Sequence, residues 1–174
     1  MSNQLKKYIR SIPDFPKQGI LFRDITTLLK DKKAFKKAID SLSQAIKAKK
    51  IDYVVAVESR GFIFGAALAY KLGAGFVPVR KKGKLPAETV SADYSLEYGT
   101  DSLEIHKDAI KENSEILIVD DLLVTGGTVA AVCQLAQKVK AKIVGIIFLI
   151  ELCDLKGRDK LKGYPVFSLI QYLT

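Results

Sequence analysis

Residues 116–128 combine two adjacent acids with a glycine-rich turn, and these groups could bind a phosphorylated sugar. Asp120 and Asp121 directly follow the apolar run 116–119, and the turn 125–128 reads Thr-Gly-Gly-Thr. Glycines let the backbone approach a ligand closely, and free N–H groups at a helix start bind phosphate. The threonine hydroxyls add donors, and the acids stand where the hydroxyls of an attached sugar would lie. The segment therefore predicts a ribose-phosphate site.

Two other phosphate-binding motifs do not match this turn. It lacks the Gly-Lys-Ser/Thr ending of a Walker A loop and the Gly-x-Gly-x-x-Gly of a dinucleotide fingerprint. The structural alternative is a tight strand-to-helix turn with a threonine as N-cap and the acids facing solvent. For the turn alone, that alternative is as good as a ligand site. The paired acids at the end of an apolar run favour the ligand site.

Apolar runs that alternate with helical patterns indicate a parallel sheet covered by helices on both faces. Asp31 is a suitable cap for the helix 31–48, whose apolar residues recur at three-to-four spacing. Ligands bind beyond the carboxyl ends of such strands, so the turns after Val57 and Val119 are the expected site positions. Residues 80–101 hold many polar groups with glycine and proline, and are predicted to form a long loop. The predicted strands are 52–57, 75–79, 103–106, 115–119, 142–150 and 166–170, the predicted helices are 3–10, 31–48, 61–72 and 128–139, and residues 11–29 are expected to be extended or turning.

The composition indicates one globular domain that spans residues 1–174. Of the 174 residues, 48% are hydrophobic and 27% are charged, which suffices for a single core and argues against disorder. The apolar runs 61–70 and 143–150 are shorter than the roughly 20 residues that cross a bilayer, and no signal-peptide pattern is visible. Cys133 and Cys153 lack metal-ligand spacing. We therefore expect no disulfide framework, no membrane partner and a reducing, cytoplasmic location.

The net charge of +9 and the pI near 9.4 would attract polyanions, including nucleic acid and phosphorylated small molecules. The lysines occur in small groups at 32–37, 47–50 and 81–84. The first two groups carry almost no interleaved aromatic residues, so they predict solvated helix faces. A nucleic-acid partner is not expected.

The segment 116–128 resembles the phosphoribosyl pyrophosphate motif of the type I phosphoribosyltransferases. Other landmarks, in the same order along the chain, resemble the members of that family that act on adenine. The resemblance implies the α/β fold of the family, with a mostly parallel central sheet flanked by helices. It also implies an N-terminal hood at 1–30 and a long mobile loop at 80–101. The further landmarks are Phe15–Asp24, Glu58–Gly65, Phe76–Arg80, Gly83–Pro86 and Tyr94–Gly99.

The resemblance assigns the ribose-phosphate site residue by residue. Asp120 and Asp121 would face the 2′- and 3′-hydroxyls of the ribose. Val124 stands where adenine-specific members usually have alanine, so a tighter but still functional turn wall is expected. In the relatives that act on hypoxanthine and guanine, an aspartate at this position meets purine N7, and Val124 lacks that proton-handling group. The residues implied to hold the 5′-phosphate are Val124, Thr125, Gly126, Gly127 and Thr128.

The resemblance also implies a pyrophosphate site. Arg60 suits it chemically, because a guanidinium can grip phosphate oxygens with two donors; the alternative is an ordinary surface ion pair. The long loop would act as a lid that excludes water from a reactive sugar cation. The residues implied to contact pyrophosphate are Glu58, Ser59, Arg60, Arg80, Lys81 and Lys84.

Glu97 and Tyr98 lie in a Tyr-Ser-Leu-Glu-Tyr-Gly sequence that the resemblance places beside the reacting centre. Glu97 would be the general acid or base near the purine, and Tyr98 would close over the reaction. Together with Arg60 they form the implied catalytic set. The alternative for Tyr94 and Tyr98 is a packed aromatic pair.

The adenine hood is implied at residues 20–23. Phe22 would stack on the purine, and backbone groups of Leu21 and Arg23 would bind its edge, with core packing as the alternative for Phe22. Ile150 and Leu152 are candidate apolar walls. His106 lies outside every motif and is predicted to be structural or exposed.

The implied reaction joins adenine N9 to the ribose phosphate of phosphoribosyl pyrophosphate and yields AMP and pyrophosphate. The resemblance implies Mg²⁺ held mainly by substrate oxygens, with Asp120 or Asp121 reaching it through water, and a homodimer. Two rivals remain: transfer to a 6-oxopurine or to orotate, and a regulator that binds the ribose phosphate but controls transcription or binds RNA. A regulator would be expected to lack Arg60 or Glu97.

Overall fold

The structure is a computed structural model that describes residues 2–46, 49–96 and 99–173. Nine strands and five α-helices alternate along these segments. The strands are β1 (Arg10–Ile12), β2 (Phe22–Asp24), β3 (Tyr53–Val57), β4 (Gly75–Lys81), β5 (Thr89–Leu96), β6 (Gly99–His106), β7 (Glu115–Leu123), β8 (Lys142–Leu152) and β9 (Val166–Tyr172). The helices are α1 (Ser2–Lys6), α2 (Thr26–Lys30), α3 (Lys32–Gln44), α4 (Arg60–Leu72) and α5 (Gly127–Lys138), and two short 3₁₀ segments span Cys153–Leu155 and Gly157–Leu161.

The central sheet has seven strands in the order β5-β6-β4-β3-β7-β8-β9. The five strands from β4 to β9 in that order run parallel, whereas β6 pairs antiparallel with both β4 and β5. A separate two-stranded sheet, β1 with β2, lies near the N-terminus. The predicted α/β fold with a mostly parallel sheet is therefore confirmed.

Two hydrophobic clusters cover the two faces of the sheet. Side chains of β3 alternate between them, as strand geometry requires: Val54 and Ala56 belong to one cluster, and Val55 and Val57 to the other. The first cluster includes residues of α3 and α4, and the second includes residues of α5. The apolar character of β3, β7 and β8 on both faces follows from this double coverage.

The helices that border the site begin and pack through specific residues. The Asp31 side chain accepts hydrogen bonds from the N–H groups of Lys33 and Ala34, so the predicted cap of α3 is confirmed. In α4, a Cβ on Gly65 would lie 2.5 Å from Cβ of Ala56, and α4 can therefore lie close against β3 only because Gly65 has no side chain.

Several sequence predictions differ from the structure. The prediction of an irregular loop at 80–101 is wrong, because β4 continues to Lys81 and residues of β5 and β6 pair antiparallel. The side chains of Val90, Ala92 and Tyr94 alternate towards the second cluster, which is the period-two pattern of a half-buried strand. Whether the segment moves stays a prediction. Helix α2, inside the segment expected to be extended, was missed, and β7 continues past the two acids.

Within the described segments, no helix is both long enough and apolar enough to cross a membrane.

Candidate functional site

The site lies where β3 ends beside β7. β3 pairs with β7 from Tyr53 opposite Ile116 to Ala56 opposite Val119, and β7 continues beyond this pairing through Asp120 and Asp121, so the residues that follow β3 meet the two acids at one edge of the sheet. A cavity of about 340 Å³ opens there. Its lining residues are Val57, Glu58, Ser59, Arg60, Lys81, Tyr94, Leu103, Asp120, Asp121, Leu122, Val124 and Thr128.

Arg60 and Asp121 form an ion pair at the centre of this cavity. Nε of Arg60 lies 2.8 Å from Oδ2 of Asp121, whose side chain is almost fully buried. The Asp121 N–H donates to Oδ1 of the partly buried Asp120 at 2.8 Å. A Cβ on Gly61 would lie 2.9 Å from that same Oδ1, so α4 can begin beside Asp120 only because residue 61 is glycine. Arg60 thus forms an ion pair, which was the alternative to a phosphate contact, but the pair lies within the cavity and not on an unrelated surface.

Burial makes the paired acids hard to ionise. Burial raises the pKa of Asp120 well above its ordinary value, and the negative charge of Asp121 raises it further. Burial also raises the pKa of Asp121, and the positive charge of Arg60 offsets part of that shift. Carboxylates that are short of donors in a cavity are strong acceptors for the hydroxyl groups of a ligand.

The glycine-rich turn leads directly into α5. Gly126 has φ of 75°, a left-handed conformation that favours glycine, and it precedes the first helical residue, Gly127. A small pocket of about 80 Å³ lies over this helix start, between the turn and Asp120. Its lining residues are Asp120, Leu122, Leu123, Val124, Thr125, Gly126, Gly127, Thr128 and Val129. The arrangement offers backbone N–H groups to an anion, as the sequence predicted for a phosphate.

Glu58 organises the cations on the other side of the cavity. Its Oε2 accepts from Nε and Nη2 of Arg80 at 3.3 and 3.1 Å, and its Oε1 accepts from the Lys81 N–H. Burial raises the pKa of Glu58, but these hydrogen bonds outweigh it and leave the pKa below its ordinary value. Nζ of Lys81 lies 2.9 Å from Asp101, to which Tyr94 donates at 3.1 Å. Carboxylates therefore pair with Arg60, Arg80 and Lys81, three of the cations predicted to contact pyrophosphate.

Phe22, in the segment predicted to form the hood, contacts Arg60, which lines the cavity. The guanidinium of Arg60 lies 5.5 Å from the Phe22 ring centroid, and Phe15 packs edge-on against Phe22 at 5.1 Å. An ion pair between Arg10 and Asp24 joins β1 to β2, at 2.5 Å. A backbone hydrogen bond from Thr26 and the bonds from Arg10 lower the pKa of Asp24 to about 2.

The remaining predicted residues lie around this centre. Leu21 is exposed beside Phe22, whereas the Arg23 side chain stacks on Tyr172 at 3.9 Å and donates to Ser11. Leu152 ends β8, paired with Tyr172 of β9, and is not among the residues that line the 340 Å³ cavity. The backbone carbonyl of Lys84 accepts from Arg80 at 3.4 Å.

Two predictions have other outcomes. Glu97 and Tyr98 lie outside the described residues, so their predicted roles stay predictions. His106 accepts a hydrogen bond from the Ala87 N–H at 3.3 Å, as expected for a structural residue. A larger cavity of about 870 Å³ lies elsewhere, between α1, α3 and β9, and none of its lining residues is a predicted site residue. The charged residues Glu58, Arg60, Lys81, Asp120 and Asp121 line the smaller cavity of about 340 Å³.

The sequence interpretation missed several residues that shape the site. Gly61 and Gly157 make close backbone approaches, and Asp101 holds Lys81. Gly157 stands in a Lys-Gly-Arg sequence that matches no known motif. The glycine itself was therefore the one feature from which a close backbone contact could have been predicted. The ion pair of the buried Glu151 with the partly exposed Arg158 gave no local signal, because it depends on the fold.

Comparisons with known proteins agree with this geometry. The model of the phosphoribosyl transferase domain matches residues 26–171. An adenine phosphoribosyltransferase of Brachyspira hyodysenteriae is 59% identical over 97% of this chain and 99% of its own length. The chain therefore belongs to the phosphoribosyltransferase family and, within it, to the adenine phosphoribosyltransferases.

Solved structures give the same family assignment. The adenine phosphoribosyltransferase of Thermoanaerobacter pseudethanolicus has a TM-score of 0.96 and 57% identity, covering 99% of this chain and all of its own. That of Saccharomyces cerevisiae, solved with a dideoxy-imino-altritol bisphosphate and adenine, has a TM-score of 0.92 and 46% identity, covering 97% of this chain and 98% of its own.

The raised pKa of Asp120 predicts that an Asp120→Asn variant is more stable than the wild type near neutral pH. Because the folded-state pKa exceeds the ordinary value of 3.8, ionising Asp120 costs stability as pH rises through that window. Asparagine keeps the Oδ1 acceptor without the charge. The thermal midpoint of the variant should exceed that of the wild type at pH 7 to 8, and the two should converge towards pH 4.

Asp40 provides the control with the opposite sign. Hydrogen bonds from Lys71 and Lys36 lower its pKa, so Asp40→Asn should lower the thermal midpoint at neutral pH, with the difference vanishing in acid. A lower midpoint for Asp120→Asn at pH 7 would contradict the account of the buried acids.

Proposed function

We propose that this chain transfers ribose 5-phosphate from phosphoribosyl pyrophosphate to N9 of adenine, giving AMP and pyrophosphate. The observation that carries the proposal is the meeting of Asp120, Asp121 and the start of α5 with Arg60 at one cavity. This edge combines the start of a helix, which could bind an anion, with two carboxyl groups that could accept from hydroxyls and with the guanidinium of Arg60. The family assignment supports the same activity.

Each group around the cavity has a role in that reaction. The C1–oxygen bond to pyrophosphate breaks, the C1–N9 bond forms, and the N9 proton passes to a general base, the role that the resemblance gives to Glu97. The turn Val124–Thr128 holds the 5′-phosphate, and Asp120 and Asp121 accept from the ribose hydroxyls. A ribosyl cation in the transition state makes positioning more important than covalent chemistry.

The leaving pyrophosphate needs positive charge, which two parts of the cavity wall can supply. Arg60 and Lys81 line the cavity, and Arg80 is held beside it by Glu58. Pyrophosphate would exchange with the carboxylates of Asp121 and Asp101 as the partner of these cations. Ser59 and the basic residue Lys84 complete the proposed pyrophosphate set, and by resemblance Glu97 and Tyr98 stand near the purine.

Mg²⁺ is proposed as the cofactor, and the donors present fit a metal carried by substrate. No group of three or more His, Cys, Asp or Glu residues in the described parts of the chain could hold a metal alone. Mg²⁺ usually binds one or two carboxylates together with phosphates and water. Asp120 and Asp121 would hold it through water, and the metal would neutralise the pyrophosphate charge.

Adenine is the proposed base because of Val124 and the hood. Val124 lines the cavity and has no group that could exchange a proton with N7 of a 6-oxopurine. Phe22 lies beside Arg60 and offers a ring face to a purine. Backbone groups of Leu21 and Arg23 would bind the purine edge, and Leu152 would add an apolar wall.

The test is product formation from phosphoribosyl pyrophosphate and Mg²⁺ with adenine, hypoxanthine, guanine or orotate, separated by liquid chromatography. AMP should form from adenine alone, and removing Mg²⁺ with a chelator should abolish it. Asp121→Asn and Arg60→Met should each lower kcat/KM by roughly 100-fold, because positioning and charge stabilisation carry the reaction. The exposed Asp108→Asn is the matched control and should react like the wild type.

Other outcomes of this assay are decisive. AMP formation at wild-type rates in both variants would exclude the cavity as the active site. If no base reacts while phosphoribosyl pyrophosphate still binds, the chain is a regulator. In that case salt-sensitive binding of nucleic acid, which the proposal does not expect, would identify its partner.

A homodimer is also proposed, with an exposed apolar face of α4 and β4 as its contact. Ile63, Tyr70 and Phe76 are 39%, 92% and 37% exposed, although all three are large apolar or aromatic residues. The same helix starts at Arg60, so a second copy on this face would lie next to the active site.

Sedimentation velocity tests the dimer. The wild type should sediment at twice the 19.2 kDa of one chain, and Tyr70→Glu should weaken the dimer by about tenfold or more, as expected for a buried aromatic anchor. Leu173→Glu, 80% exposed beyond β9, is the control and should stay dimeric. A monomeric wild type at micromolar concentration would contradict the proposal.

A cytoplasmic location is proposed from the cysteines. Cys133 is buried, Cys153 is half-buried, and both are free thiols, as is usual in a reducing compartment.

A further inference from the structure

The buried Glu151 and the partly exposed Arg158 form a charge pair that the proposed reaction does not use. Nε and Nη2 of Arg158 lie 2.6 and 2.7 Å from the two carboxylate oxygens of Glu151, so the pair has two parallel hydrogen bonds. Glu151 is only 4% exposed. Such two-point pairs fix orientation as well as distance.

Further hydrogen bonds hold both partners. Arg158 donates to the Val166 carbonyl at 3.1 Å and to the Ser168 hydroxyl at 3.4 Å, and Gln171 donates to Glu151 at 3.1 Å. The hydrogen bonds from Arg158 are the main reason that the pKa of Glu151 falls to about 2. Arg158 therefore ties the 3₁₀ segment Gly157–Leu161 to β8 and β9.

Gly157, the neighbour of Arg158, lies directly against the phosphate loop Val124–Thr128. A Cβ on Gly126 would lie 2.3 Å from the Gly157 carbonyl oxygen. A Cβ on Gly157 would lie 2.4 Å from the Val124 carbonyl oxygen and 2.8 Å from Cδ1 of Leu123. Two backbones thus approach each other where neither can carry a side chain.

The pair also lies beside the strand residue that precedes the phosphate loop. In the pairing of β7 with β8, Glu151 stands opposite Leu123, the residue that precedes Val124. The same carboxylate that orients Arg158 is therefore fixed by the sheet that carries Asp120 and Asp121. The segment behind the loop cannot shift without breaking the pair or the strand.

We propose that Glu151 and Arg158 are positioning residues that hold Gly157 against the phosphate loop and so set the affinity for the 5′-phosphate of the ribose. The inference rests on the proposed function, since it assumes that Val124–Thr128 holds that phosphate. Glu151 and Arg158 act through Gly157 and do not touch the substrate themselves. A pair that merely stabilised the fold would change the amount of active protein and leave substrate affinity unaltered.

The test compares Arg158→Met with the wild type in steady-state kinetics and in calorimetric titration with ribose 5-phosphate. KM for phosphoribosyl pyrophosphate and Kd for ribose 5-phosphate should both rise roughly tenfold, in the range seen when supporting contacts of a site are lost. KM for adenine should stay within about twofold, because Arg158 and Gly157 contact β8, β9 and the phosphate loop rather than the hood. Arg158→Lys should be intermediate, since lysine keeps the charge but not the two-point geometry.

Gly157→Ala is the second variant, and it leaves the ion pair in place. Its Cβ would collide with the Val124 carbonyl, so the loop must move and affinity for ribose 5-phosphate should fall at least as far. Gly145→Ala in β8 is the matched control, because its Cβ would meet Leu117 at 3.4 Å, an ordinary contact. Lys71→Met is the ion-pair control: Lys71 bonds Asp40 at 2.7 Å and is 40% exposed, close to the 42% of Arg158.

The outcomes separate this inference from the proposed function. Wild-type affinity for ribose 5-phosphate in both Arg158→Met and Gly157→Ala, with only a lower thermal midpoint, would overturn the inference. A wild type that binds ribose 5-phosphate but forms no AMP would overturn the proposed function, and the variant affinities would still decide the inference. A wild type that does not bind ribose 5-phosphate would overturn both.

Discussion

The parallel pairing of β3 with β7 brings together the two chain segments that carry the site. Because the strands are neighbours and β3 ends where β7 reaches its two acids, Glu58–Arg60 lie beside Asp120 and Asp121. Gly61 lets α4 start against Asp120, and Gly126 lets the chain turn into α5. A shift of either strand by one residue would reverse which side chains face the cavity. The chemistry therefore depends on this register.

Charged groups at this edge pair with one another. Arg60, Arg80 and Lys81 each bond a carboxylate, and burial disfavours the ionised forms of Asp120 and Asp121. A phosphorylated sugar would provide negative charge to the cations and hydroxyl donors to the acids. Burying these acids costs stability, and binding a phosphorylated sugar would be the function that requires them. Such conflicts between stability and function are common.

The sequence was sufficient to predict the sheet core and the edge of the sheet where Arg60 and the paired acids meet. The apolar runs of β3, β7 and β8, the Asp31 cap and the acid-rich turn are local patterns that local rules capture. β5 and the first half of β6 were missed because their weak alternation of small and polar residues was outweighed by glycine and proline nearby, whereas the predicted strand 103–106 is the second half of β6. The Glu151–Arg158 pair and the contact of Gly157 with the phosphate loop could not be predicted, because they join distant segments that only the fold brings together.

A crystal structure with AMP bound tests the central claim most directly. The account predicts the 5′-phosphate within hydrogen-bond distance of the backbone N–H groups of residues 125–128. It predicts the two ribose hydroxyls on Asp120 and Asp121, and the purine beside Phe22. A nucleotide phosphate seated elsewhere, for example in the larger cavity near Lys6, would contradict it.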